Sequence, residues 1–322
     1  MNNNSSLSSL LSTVVKGIAM GAANVIPGVS GGTIALITGI FERLINALKS
    51  FDAKAVKLLF SGKLKEFADH IDLYFLIALF TGVGIAIITL AKLFKFLFEN
   101  YPVYIWAFFF GLVLASVYYV AKTVKRWSLS AVISFIAGTA VALTITFLKP
   151  GTEDSSFLYL LLCGVVAICS MILPGLSGSF VLLLMGNYKL VMVDAVNDMN
   201  LSILIPVGIG AVGGLLLFSH FLSWLLKKYH NQTIATLSGF ILGSLGILWP
   251  WKEAITQTFG EKVKIIGYDW HTPQMNSEFF LAFLYIVLGV LTIVLTEYLA
   301  KKGRRVSSKQ LAVSSKQLAE KQ

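Results

Sequence analysis

The stretch NVIPGVSGGTIALITGIFE, residues 24–42, breaks an apolar run with a Pro-Gly turn, and MILPGLSGSFVLLLMGNYK, residues 171–189, repeats the pattern 147 positions later. With Pro27 placed on Pro174, thirteen ungapped positions hold six identities, among them Gly28 with Gly175, Ser30 with Ser177 and Gly31 with Gly178. Pro27 and Pro174 lack an N–H and disfavour helix in the residue before them, while the glycines permit backbone conformations closed to other residues. The half-segments are about 9 to 17 residues long, and a helix needs ~20 to cross about 30 Å of hydrocarbon. Each region therefore predicts a re-entrant hairpin, whose non-helical backbone at membrane depth requires burial in protein or contact with water.

Outside these regions, six apolar stretches are long enough to span: about 73–98, 103–121, 128–148, 201–226, 233–250 and 279–300. The composition agrees. Of 322 residues, 56% are hydrophobic and 13% charged, with a mean hydropathy of +0.79, whereas a soluble domain carries about 25% charged residues. The net charge of +10 comes from loops rather than from a clustered basic face, which argues against nucleic acid as a partner. Cys163 and Cys169 lie inside one apolar segment and read as small core residues. The start, Met1 to Leu10, has no signal-peptide pattern.

A second offset, 128, pairs Gly82 with Gly210, Tyr101 with Tyr229, Gly111 with Gly239 and Ser116 with Ser244. The fold expected is an all-α integral membrane protein of two repeats, each a re-entrant broken-helix hairpin followed by three transmembrane helices. Repeat 1 covers 1–148, with its hairpin at about 12–41 and an amphipathic cytoplasmic connection at 42–72; repeat 2 covers 149–300, with its hairpin at about 157–190. Three spans per repeat is an odd number, so the second copy inserts upside down. With both termini in the cytoplasm, 19 basic residues fall inside and 5 in outside segments, with Lys92 and Lys95 near the outer end of a span, as the positive-inside rule requires. The tail 301–322 reads as a disordered basic cytoplasmic end, and Trp249, Trp251 and Trp270 in the outer loop as interfacial anchors.

A P-G-x-S-G turn opening a helix presents backbone N–H groups and a hydroxyl to one point, which suits an anion, and paired discontinuous helices mark secondary-transporter substrate sites. Close packing of small residues would explain the glycines alone, but not the serine shared by both copies. Lys16, Glu42 and Arg43 are charges in or beside the first hairpin, where charge is costly; two cations suit a phosphate group. Their counterparts in repeat 2 are Cys163, Lys189 and Leu190, so the electrostatics are asymmetric. Snorkelling of Lys16 and an interfacial Glu42–Arg43 pair stay open as alternatives. Asn24 and Asn187 flank the turns as hydrogen-bonding groups for hairpin or ligand. The four histidines show no metal-ligand spacing, His220 reads as hydrogen-bonded to a neighbouring helix, and no G-x-x-x-x-G-K-[ST] loop supports direct use of ATP. No cofactor is expected.

On the residues KGIAMGAANVIPGVSGGTIALITGIFERLINAL and ILPGLSGSFVLLLMGNY, the chain resembles the polyprenyl-phosphate transporter family, over about residues 12–300. That resemblance implies an undecaprenyl phosphate translocase, a flippase that returns the lipid carrier of cell-wall synthesis from the outer to the cytoplasmic leaflet of the bacterial inner membrane. By the same resemblance the substrate-binding positions are Pro27, Gly28, Ser30, Gly31, Gly32, Thr33, Glu42 and Arg43, with Pro174, Gly175, Ser177, Gly178 and Ser179 in the second copy. Ser179 stands where the first copy has Gly32. The rival is an integral-membrane undecaprenyl pyrophosphate phosphatase, a family similar in its inverted repeats and P-G-x-S turn, but whose turn continues with Arg where this chain has Gly31 and Gly178. A small-anion channel is a third reading. Glu42 is a candidate proton carrier, a passive facilitator being equally compatible, and a homo-oligomer is compatible with the sequence.

Overall fold

The computed structural model describes residues 7–25, 31–148, 151–259, 262–295 and 298. Pro27, Gly28 and Ser30 of the first turn, and the expected tail at 301–322, lie outside the described residues. The chain is mostly helical. Among the described residues, six helices are long and apolar enough to cross a membrane: α6 (Leu73–Asn100), α7 (Pro102–Ala121), α8 (Leu129–Phe147), α12 (Leu201–Lys228), His230–Leu248 and α15 (Ser277–Leu295). The protein is therefore a multi-pass membrane protein. The fifth span is broken at Ser244 into α13 (His230–Gly243) and α14 (Leu245–Leu248).

The first broken region forms α1 (Leu7–Val25) and α2 (Gly31–Ile37), followed after a 117° bend by α3 (Phe41–Lys49). The second forms α9 (Phe157–Ile172) and α10 (Gly178–Leu184), then a π-helical turn Leu190–Asp194 leading into α11 (Ala195–Asn197). Both short helices stop in the same way. Gly39 and Gly186 take positive φ of 71° and 80°, the left-handed conformation glycine adopts at no steric cost. The Ile40 N–H then returns to the Ala35 carbonyl at 2.9 Å and the Asn187 N–H to the Leu182 carbonyl at 3.0 Å, each pair related by the offset of 147.

Glycines let the helices cross at backbone contact, where small residues permit the closest packing available in lipid. A Cβ on Gly17 of α1 would come within 2.2 Å of Leu79 O of α6, and one on Gly164 of α9 within 2.1 Å of Val207 O of α12. The middle spans cross over between the two halves of the chain. Gly111 of α7 would meet Ile286 O of α15 at 2.0 Å, while Gly239 of α13 would meet Phe135 O of α8 at 2.2 Å. Gly111 and Gly239 are partners at the offset of 128, so the two crossings are counterparts.

The connection at 42–72 is helical: after α3 come α4 (Ala53–Phe60) and α5 (Leu64–His70). Helix α3 buries Phe41, Leu44, Ile45 and Ala47 and turns Glu42 and Arg43 outward. Asp52 caps α4, accepting the Ala55 N–H at 2.9 Å and lying 3.0 Å from His70 Nε2. That backbone bond, with His70 second, holds its carboxyl below the usual value. Between α14 and α15 the described residues hold an antiparallel hairpin of β1 (Lys252–Phe259) and β2 (Lys262–Trp270), with a register shift between Ile255 and Thr256. Trp249 and Trp270 pin it down: Trp270 Nε1 donates to Gly246 O at 2.9 Å and Trp249 Nε1 to His271 O at 3.1 Å.

Candidate functional site

The second hairpin closes on its own beginning. The Gly151 N–H donates to Leu184 O at 2.7 Å, and Tyr159 Oη donates to Met185 O at 2.7 Å. Asn187, with no exposed surface, accepts the Asp154 N–H at 3.0 Å and donates to Asp154 O at 2.7 Å. Since Asp154 precedes α9 and Asn187 follows α10, the segment leaves where it entered. Asn187 thus works at the mouth of the hairpin, away from its turn. In the first hairpin Asn24 does act at the turn, where its Oδ1 accepts the Gly31 N–H at 2.8 Å. A Cβ on Gly31 would lie 2.7 Å from that oxygen, and one on Gly178 would lie 2.6 Å from Ala167 O.

The two broken segments meet. The N–H of Gly175 donates to Thr33 Oγ1 at 3.1 Å, joining residues 142 positions apart in a buried contact. Gly175 has φ of +83°, and a Cβ there would come within 2.7 Å of Phe240 O, so the turn is wedged against α13. Pro174 beside it is fully buried. Ser177 and Ser179, both half-buried, place their hydroxyl oxygens 3.1 Å apart. The junction therefore offers a partly open hydroxyl pair and a backbone N–H held by a neutral hydroxyl. Such groups match the acceptor oxygens of a phosphate without fixing a charge in the membrane.

The charged candidates stand apart from this junction. Lys16 is half-buried in α1, nine residues before its end, which is about 13 Å of helix rise. Arg43 forms a two-pronged pair with Asp72, Nε to Oδ2 at 2.6 Å and Nη2 to Oδ1 at 2.9 Å, and lies 4.3 Å from the Phe75 ring centroid. Glu42 Oε1 lies 3.1 Å from His230 Nε2 at the start of α13. One turn further along α3, Asn46 Oδ1 accepts from Ser223 Oγ of α12 at 3.0 Å. Glu42 and Arg43 are thus not paired with each other; each reaches a different helix. His230, Asp72 and Ser223 carry no motif in the sequence, so only folding brings them to α3. His220 Nδ1 faces the Leu216 carbonyl of its own helix at 2.8 Å rather than a neighbouring helix.

Residues 20–266 match the family described as Undecaprenyl phosphate translocase-like. The chain is 42% identical over 293 residues to a Polyprenyl-phosphate transporter of Vibrio cholerae serotype O1, covering 88% of this chain and 95% of that protein. It is 31% identical over 259 residues to a Polyprenyl-phosphate transporter of Staphylococcus aureus, covering 74% and 85% respectively. No solved structure matches the chain. With its paired Pro-Gly breaks and with relatives matched along most of its length, the chain belongs to the undecaprenyl phosphate translocase-like family.

Proposed function

We propose that the chain is a transporter that flips undecaprenyl phosphate from the outer to the cytoplasmic leaflet, returning the carrier for another round of cell-wall polymer synthesis. The observation that carries this reading is the meeting of two matched broken segments through Gly175 and Thr33, in a chain whose relatives are named Polyprenyl-phosphate transporter. The ligand is an anionic head on a long apolar tail. Its head needs a polar pocket at membrane depth, and its tail a lateral path between helices.

The architecture we propose is two inverted-topology repeats, 1–148 and 149–300, with both termini cytoplasmic. Supporting it are the matched glycine stops at Gly39 and Gly186, the crossed-over packing of Gly111 and Gly239, and the 19-to-5 distribution of basic residues. In this reading Ser177, Ser179 and the N–H of Gly175 receive the phosphate oxygens, with Gly28, Ser30 and Thr33 contributing from the first hairpin. A phosphate oxygen would replace the Thr33 hydroxyl on Gly175, loosening one hairpin from the other as the ligand binds. Glu42 is the proton carrier that a coupled cycle would use, because its contact with His230 ties α3, directly after the first hairpin, to α13. Gly31 and Gly178, where the phosphatases carry Arg, support transport without hydrolysis.

The reading is tested by binding to purified protein. A Ser177→Ala, Ser179→Ala variant should lose affinity for undecaprenyl phosphate by about tenfold or more, the scale of one or two lost hydrogen bonds to a charged group, and keep its affinity for uncharged undecaprenol. Equal binding of the phosphate by variant and wild type would place the head elsewhere.

A further inference from the structure

We propose that Lys252 is the anion-receiving residue of an access site at the β1–β2 end of the protein, where it takes the phosphomonoester head of an apolar-tailed lipid before it reaches the second hairpin. The assignment rests on the transporter reading and extends it to a residue outside both hairpins. Among the described residues, Lys252 Nζ is buried and has no hydrogen-bond partner. It lies 3.6 Å from the Trp106 ring centroid and 4.4 Å from that of Tyr268. Two ring faces attract a cation by about 0.5–2 kcal/mol each, but they accept none of its N–H bonds in the ordinary sense. An ammonium left in this state is costly. Among the described residues no carboxylate is paired with it: Glu253 points to the other face of the strand, where its Oε1 lies 3.8 Å from His271 Nε2, and Asp269 is the cross-strand neighbour of Glu253. Burial pulls the Lys252 amine down to about 6 and pushes Tyr268 up to about 12, so an arriving anion would restore the charge that burial disfavours.

The position suits a lipid head. Trp106 lies near the start of α7, and β1–β2 also reaches the second hairpin, where Ile266 packs with Leu160, Leu182 and Leu183 of α9 and α10. Gly151 and Asp154, at the mouth of that hairpin, mark the same end. An amine walled by aromatic rings, on a hairpin that packs against an apolar helix pair, fits a molecule charged at one end and greasy at the other, better than it fits a free ion.

The test uses the full chain in lipid nanodiscs with three probes: undecaprenyl phosphate, undecaprenol and inorganic phosphate. Lys252→Met keeps the length of the side chain and removes the charge. It should raise the Kd for undecaprenyl phosphate about tenfold or more, a loss of at least ~1.4 kcal/mol, and leave the Kd for undecaprenol unchanged; Lys252→Arg should retain most of the affinity. Equal phosphate-lipid binding by wild type and Lys252→Met overturns the proposal, and inorganic phosphate competing as well as the lipid overturns the lipid assignment. An independent reading needs no variant. Amide hydrogen exchange along β1, which carries Lys252, should slow in the wild type with undecaprenyl phosphate and not with undecaprenol; no protection refutes the site. Wild type that neither binds nor flips the lipid would instead refute the transporter reading itself.

Discussion

Replacing Thr33 by Val tests the contact that joins the two hairpins. The side chain is 2% exposed, and Val has nearly the same shape, so the change amounts to a hydroxyl becoming a methyl. The Gly175 N–H, 3.1 Å from that hydroxyl, loses its acceptor in a contact that the two hairpins bury between them. A buried donor left unsatisfied costs about 1–3 kcal/mol. Thr33→Ser keeps the oxygen and loses only one carbon, about 0.8 kcal/mol of burial. Unfolding in detergent should therefore rank wild type above Ser and Ser above Val. Hydrogen exchange at the Gly175 amide should accelerate in Val and stay slow in Ser. A Val variant as stable as wild type, with Gly175 still protected, would refute the claim that this bond couples the hairpins.

Three further outcomes follow from the packing and the charges. Gly210→Val in α12 puts a Cβ at 2.0 Å from Leu161 O, where real contacts begin near 3.0 Å. The α9–α12 crossing must open by ~1 Å at a cost of about 1–3 kcal/mol, whereas Gly208→Ala, facing open space, should hold or raise the unfolding temperature, alanine being favoured over glycine in a helix by up to about 1 kcal/mol. Asn187→Ala removes both bonds to Asp154 and should cost about 1–3 kcal/mol, seen as faster exchange of the Asp154 amide with the turn at Gly175 still protected. For Lys252 the folded value of about 6 lies below the ordinary 10.5, so between them the unfolded chain binds more protons. Stability then rises with pH across that window, by at most about 1.4 kcal/mol per pH unit. Lys252→Met should flatten this slope, and an unchanged slope would contradict the buried placement of the amine.

Much of the architecture is legible because its causes are local. A span is announced by about twenty apolar residues in a row, and the six expected spans fall within a few residues of the helices found. The Pro-Gly breaks are equally local, since Pro174 and Gly175 alter the backbone where they stand. What depends on the approach of distant segments is not written in any window. Arg43 finds Asp72 and Glu42 finds His230 only after α3 has turned 117° from α2, and Thr33 reaches Gly175 across 142 positions. The hairpin at 252–270 did leave a trace: Ile255, Thr256, Thr258, Val263, Ile265 and Ile266 are β-branched residues on either side of Gly260, which favours strand. The aromatic and charged residues among them obscure that pattern. Nothing in the sequence marks Lys252 as buried, because its environment is made by Trp106, far away in the chain.

The most direct test reconstitutes the purified protein in liposomes containing undecaprenyl phosphate and adds a membrane-impermeant phosphatase outside. In protein-free vesicles only the outer-leaflet half of the lipid should be hydrolysed. With the protein present, nearly all of it should become accessible, and Thr33→Val or Ser177→Ala should slow that conversion. Hydrolysis that stops at one half in vesicles holding correctly folded protein would contradict the account.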